Sequence, residues 1–116
     1  EQAGEHEALA TEAMEWFSRA SVLNPFDGYA HLRYGMCLDQ LGRARLGTKH
    51  FLRGLELDPR GAFTLAQVGW HYAQLEDWAK VKDFTARSLQ YQPGNNLQAE
   101  LYHQTAVERL AIEQRR

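Results

Sequence analysis

Apolar residues along this chain fall in short blocks at helical spacing, and glycine or proline interrupts the blocks at regular distances. From about residue 28 to 41, Tyr29, Leu32, Tyr34, Met36, Leu38 and Leu41 have the spacing of a helix with more than one buried face. Gly42 can adopt the left-handed conformation that closes such a helix, and the pattern resumes from Arg43 to Leu57 with Leu46, Phe51, Leu52 and Leu55. Pro59 lacks an amide proton and disfavours helical geometry at Asp58, so it stops the second helix. The next block repeats this logic: a helix over 62–75, a break at Glu76-Asp77, a helix over 78–91 and a stop at Pro93. A final helix is predicted from about Asn96 to Gln114.

The breaks keep a strict period. Asn24-Pro25, Asp58-Pro59 and Gln92-Pro93 stand 34 residues apart, and other columns follow at the same offset: Arg19, Arg53 and Arg87; Leu23, Leu57 and Tyr91; Gly35 and Gly69; Phe17 and Phe51. A period of this length marks a repeat architecture of helix pairs. The expected organisation of residues 1–116 is one domain, with a partial repeat at 8–27, repeats at 28–61 and 62–95, and a capping helix at 96–114. Because the chain starts at Glu1 and partway through a unit, further residues are expected before it.

These columns resemble the tetratricopeptide repeat, with Leu65, Val68-Gly69, Tyr72, Val81, Ser88 and Pro93 in its slots in one unit. His31, Tyr34-Gly35, Leu38, Gly47, Phe51, Gly54 and Pro59 fill them in the unit before, and Ala13, Phe17, Ala20 and Pro25 in the partial unit. Thr85 stands where the pattern has an aromatic residue, and His31 where it has Trp. The resemblance implies an all-α fold, an α-solenoid of antiparallel helix pairs wound as a right-handed superhelix. Small residues recur because helix backbones approach closely there, and close packing must offset the cost of about 1 kcal/mol for glycine inside a helix.

It also implies a role: binding a peptide or protein partner on the concave face lined by the first helix of each pair. The groove pattern maps onto Tyr29, Arg33, Met36, Asp39 and Gln40, then Phe63, Gln67, Trp70 and Gln74, with Gln104 on the last helix. Trp70 follows Gly69 and is expected to turn toward the open groove as an aromatic anchor. A clamp for acidic C-terminal tails needs Lys and Asn at groove positions that Leu32, Met36, Ala66 and Trp70 occupy here, which argues against that ligand. The segment Arg33 to Arg43, with Gly69-Trp70-His71-Tyr72, also resembles repeats appended to bacterial O-antigen ligase or polymerase-like proteins. That likeness implies the alternative role: a soluble accessory or self-association domain of a larger membrane glycan-assembly protein, with a homodimer as one form.

Charge and composition narrow the choices. A net charge of -2 leaves no overall attraction for nucleic acid, and no apolar run is long enough to insert this segment in a membrane. Cytoplasm and periplasm both remain open, since the single cysteine, Cys37, permits no internal disulfide. The five histidines, His6, His31, His50, His71 and His103, show no pair at ligand spacing, so no metal and no cofactor is expected. Cys37 has no base near it in sequence, and catalysis is not expected of this segment. Arg43, Arg45, Lys49 and Arg53 read as a solvated convex face. On the last helix, Leu97, Leu101, Val107 and Leu110 are expected to cover the preceding repeat while Glu100, Gln104, Glu108, Glu113 and Arg115 face water.

Overall fold

The computed structural model describes residues 2–115, and among them there are six α-helices and no strand. In chain order they are α1 (Gln2–Leu23), α2 (Gly28–Gln40), α3 (Ala44–Leu57), α4 (Ala62–Gln74), α5 (Trp78–Tyr91) and α6 (Leu97–Gln114). Pro25, Pro59 and Pro93 all lie between helices, as their chemistry requires. The helices form two compact units, α1 to α3 ending at Asp58 and α4 to α6 beginning at Pro59. The His6 side chain lies outside the described residues.

Local chemistry sets the helix ends. Asp27 caps α2 by accepting a hydrogen bond from the Ala30 amide at 3.2 Å, and Asp77 caps α5 through the Lys80 amide at 3.3 Å. Gly42 closes α2 with φ of +74°, the left-handed conformation expected of it. Thirty-four residues later the same turn is made by Glu76 with φ of +57°, a conformation that a side chain disfavours.

In the first unit α2 packs against both α1 and α3. Its seam with α3 depends on missing side chains. A Cβ on Gly35 would lie 2.6 Å from the Phe51 ring, and one on Gly54 would lie 2.7 Å from Leu32 Cδ2. Phe51 and Leu32 thereby reach full burial, each worth about 1.5–3 kcal/mol relative to exposure. His50 of α3 packs on Tyr34 of α2 at 4.2 Å between ring centroids.

In the second unit α5 is the shared helix, flanked by α4 and α6. Thr85 fits against Gly69, where a Cβ would come within 2.8 Å of its Cγ2, and its hydroxyl donates to the Val81 carbonyl at 2.7 Å. Thr85 replaces the aromatic of the repeat pattern, and Phe84 beside it supplies the ring, stacked on Tyr72 at 5.6 Å. Buried Ser88 donates to the Ala62 carbonyl at 2.7 Å and accepts from Asn96 Nδ2 at 2.9 Å, so one hydroxyl near the end of α5 ties together the starts of α4 and α6.

The contact made by α6 differs from the sequence expectation. Leu97 is 77% exposed and Leu101 59% exposed, and Val107 also faces outward, whereas Ala99 and Ala106 are fully buried. Ala99 and Ala106 stand seven residues apart, two turns, on one face. Small side chains let the helix approach closely, leaving Leu97, Leu101 and Val107 outside while Leu110 is part-buried. The polar residues assigned to water, Glu100, Gln104, Glu108, Glu113 and Arg115, are exposed.

Candidate functional site

In the first unit, Tyr29, Arg33, Met36, Asp39 and Gln40 lie on α2. Tyr29 is half-exposed, and its ring meets Phe17 of α1 edge-on at 6.5 Å. The Arg33 guanidinium lies 5.5 Å from the Phe17 ring centroid and 5.8 Å from that of Tyr29, with one of its NH groups 4.0 Å from the Met36 sulfur. A cation held over two aromatic faces is a paired, partly desolvated charge. Arg33 Nε is buried without a hydrogen-bond partner among the described atoms. Met36 is part-buried beside this cluster, part-buried Asp39 turns its carboxylate toward Gly47 of α3, with Oδ1 3.4 Å from where a Cβ on that glycine would stand, and Gln40 is exposed at the end of α2. Phe17 belongs to the cluster although the groove pattern omits it. Its column, shared with Phe51, read as internal packing.

The second unit holds Phe63, Gln67, Trp70 and Gln74 on α4 and Gln104 on α6. Phe63 is 51% exposed. Gln67 differs from the expectation of a groove-lining amide: it is buried, and its Nε2 donates to Gln98 Oε1 at 2.8 Å, bridging α4 to α6. Trp70 also departs from the expected open anchor, being half-buried. The cause is the burial of α4 around most of its circumference: residues 64 to 69 and then His71 and Tyr72 are buried, leaving only edges at Phe63, Trp70 and Gln74. Gln74 is exposed and donates to the Trp70 carbonyl at 3.3 Å, and exposed Gln104 donates to Glu108 at 3.3 Å.

Gln98, Leu97 and Leu101 complete this face, although the hydrophobic pattern assigns Leu97 and Leu101 to covering the preceding repeat and does not single out Gln98. A signal existed: Tyr29, Phe63 and Leu97 stand 34 residues apart in one column, as do Arg33, Gln67 and Leu101. The α4 part of the face carries no charged side chain, and α6 adds the exposed carboxylates Glu100 and Glu108. At the clamp positions, Leu32 and Ala66 are buried core.

The remaining reactive groups serve packing. Cys37 is buried, and that burial pushes its thiol above the ordinary range while the Arg33 charge pulls it down. His31 and His50, distant in sequence, stack at 6.2 Å, and His31 Nε2 lies 3.2 Å from the Pro25 carbonyl. Burial first, then Lys49 and His31, pushes His50 below the usual histidine range. Among the described residues no three His, Cys, Asp or Glu side chains gather where a metal could bind, and no helix is long and apolar enough to cross a membrane. The basic second-helix residues are partly paired at the surface, Arg53 with Glu56 at 2.7 Å and Arg87 with Asp83 at 3.7 Å.

The helix-pair packing, the glycine seams and the period define the class: the fold is that of a tetratricopeptide-repeat (TPR) domain. Solved structures share it. The first TPR domain of human RPAP3 superposes with a TM-score of 0.85 at 14% identity, covering 98% of this chain and 91% of that one. The first TPR of Spaghetti (RPAP3), bound to the HSP90 peptide SRMEEVD, gives 0.82 at 14% identity over 95% of this chain and 88% of that one. YrrB, a TPR protein with an unusual peptide-binding site, gives 0.69 at 28% identity over 78% of this chain and 46% of that one. No protein-family model and no curated protein sequence matches the chain.

Proposed function

We propose that this chain is a protein-interaction module that takes a peptide segment on the faces of its first helices. The observation that carries this reading is the second-unit face, where Phe63, Leu97 and Leu101 stand exposed around the part-buried Gln67–Gln98 amide pair. Apolar anchors beside a few fixed polar groups are the composition of a peptide-binding surface. Two structural neighbours are peptide binders by their own description, one holding SRMEEVD.

The ligand differs in chemistry from that acidic peptide. Glu100 and Glu108 flank the exposed leucines, no Lys or Arg lines the α4 face, and the clamp positions are apolar. Like charges repel across a desolvated contact, so a neutral or basic segment with an apolar anchor fits best. Selection of a random peptide library on the immobilised chain tests this. Sequences with an aromatic or aliphatic anchor and no acidic cluster are expected, and Phe63→Ser with Leu101→Ser should abolish their retention at unchanged helicity. Enrichment of acidic tails, or retention by the double variant, would refute the assignment.

A further inference from the structure

Two histidines meet in the first unit at positions where the second unit places hydrocarbon. His31 of α2 and His50 of α3 stack at 6.2 Å between ring centroids, with 18° between their planes, and Tyr34 covers His50 at 4.2 Å. Thirty-four residues on, the same columns hold Leu65, which is fully buried, and Phe84, which stacks on Tyr72. Packing in these columns therefore needs no ionisable group, yet the first repeat carries two.

The hydrogen bond of His31 fixes which of its nitrogens holds the proton. Nε2 lies 3.2 Å from the Pro25 carbonyl, which can only accept, so Nε2 donates and Nδ1 of the neutral ring keeps its lone pair. That Nδ1 is buried without a hydrogen-bond partner among the described atoms. A proton added there finds no acceptor, and the resulting charge lies against the His50 ring. His50 is no better placed to take the proton: its burial first, then Lys49 beside it and His31 opposite, all oppose its charged form.

Among the described residues no carboxylate is paired with either ring. On α3, Arg53 stands one turn beyond His50 and is taken by Glu56 at 2.7 Å. On α2, Arg33 is held over Phe17 and Tyr29. From α1, Glu15 and Arg19 line a cavity of about 250 Å³ with Tyr34, and in the turn before α2 Asp27 is engaged as its cap. We propose that the stacked pair is an acid-sensitive latch: neutral rings hold the Pro25 turn and α3 to α2, and a proton taken up in mild acid releases them. Tyr29 and Arg33 are carried on α2, so their cluster with Phe17 disperses when the latch opens. The sign follows from the neutral pair belonging to the folded state: the unfolded chain binds the proton more readily, and the first unit weakens as pH falls through 6.5.

Amide hydrogen exchange of the 116-residue chain at about pH 7.5 and about pH 5, corrected for the intrinsic pH dependence of exchange, tests the latch. Protection of α2 and α3 should fall roughly tenfold or more at the lower pH. Peptides from α4 to α6, which hold His71 and His103, report the second unit separately. The double variant His31→Leu with His50→Phe installs the residues that the second repeat uses, and it should keep α2 and α3 protected at both pH values. An NMR titration of the wild-type histidines gives a second measurement that needs no variant: His50 should take up its proton below 6.5, together with the loss of protection in α2 and α3. If the double variant does not fold, that titration decides. A pH difference in α2 and α3 that survives the double variant overturns the proposal, as does a His50 that titrates at 6.5 or above, or one that takes up its proton while both helices stay protected.

Discussion

At the residue scale, the consequences of the fold are sharpest where a side chain is missing or strained. Gly35→Ala should destabilise the chain by about 1–3 kcal/mol, because the new Cβ would sit 2.6 Å from the rigid Phe51 ring. Gly4, with nothing within 4 Å of its Cβ position, should tolerate the same change, and Gly4→Ala should stabilise α1 by about 0.5–1 kcal/mol. Denaturant titration of the pair separates packing from helix propensity. Glu76→Gly is expected to raise stability by about 0.5–1 kcal/mol, since φ of +57° is costly for Glu and free for Gly. His50 gives a pH prediction. Its folded value lies below the ordinary 6.5, so the unfolded chain binds the proton more readily, and stability falls as pH drops through 6.5 toward the lower folded value. Melting temperature should therefore decline in that window, and His50→Gln should flatten the decline.

At the element scale, α6 shows how much a helix contributes through small side chains. Its attachment uses Ala99 and Ala106, the Gln67–Gln98 bridge and the Asn96–Ser88 hydrogen bond. Ala99→Leu should displace the helix and lower the melting temperature by several degrees, consistent with about 1–3 kcal/mol of overpacking. Leu101→Ser should change stability by less than about 0.5 kcal/mol, as expected of an exposed position. The opposite ranking would mean that the leucines, and not the alanines, hold the helix. The sequence pattern favoured the leucines because hydrophobic spacing weighs size, whereas a close helix contact selects small residues.

At the scale of the whole molecule, two units of three helices each offer a face of different character. The first gathers Arg33 between Phe17 and Tyr29, and the second frames an amide pair with Phe63, Leu97 and Leu101. If the proposed module binds peptides, Arg33→Ala and Phe63→Ala should each weaken binding by about 1 kcal/mol or more in a titration with a selected peptide. Trp70→Ala should instead cost about 1–3 kcal/mol of folding stability, because that side chain is part-buried.

The amino-acid sequence by itself determined the all-α class, the 34-residue period and the helix ends. These depend on backbone chemistry that a residue carries wherever it stands: proline without its amide proton and Gly42 free to turn left-handed. Only the tertiary structure decided which face of each helix meets water. Trp70 is half-enclosed because α4 is covered on most sides, Gln67 is consumed by Gln98 across 31 positions of sequence, and Leu97 and Leu101 are left outside. The physical reason is that periodicity reports an apolar side chain's place on its own helix, while burial depends on how closely a neighbouring backbone can approach, which small side chains in that neighbour settle.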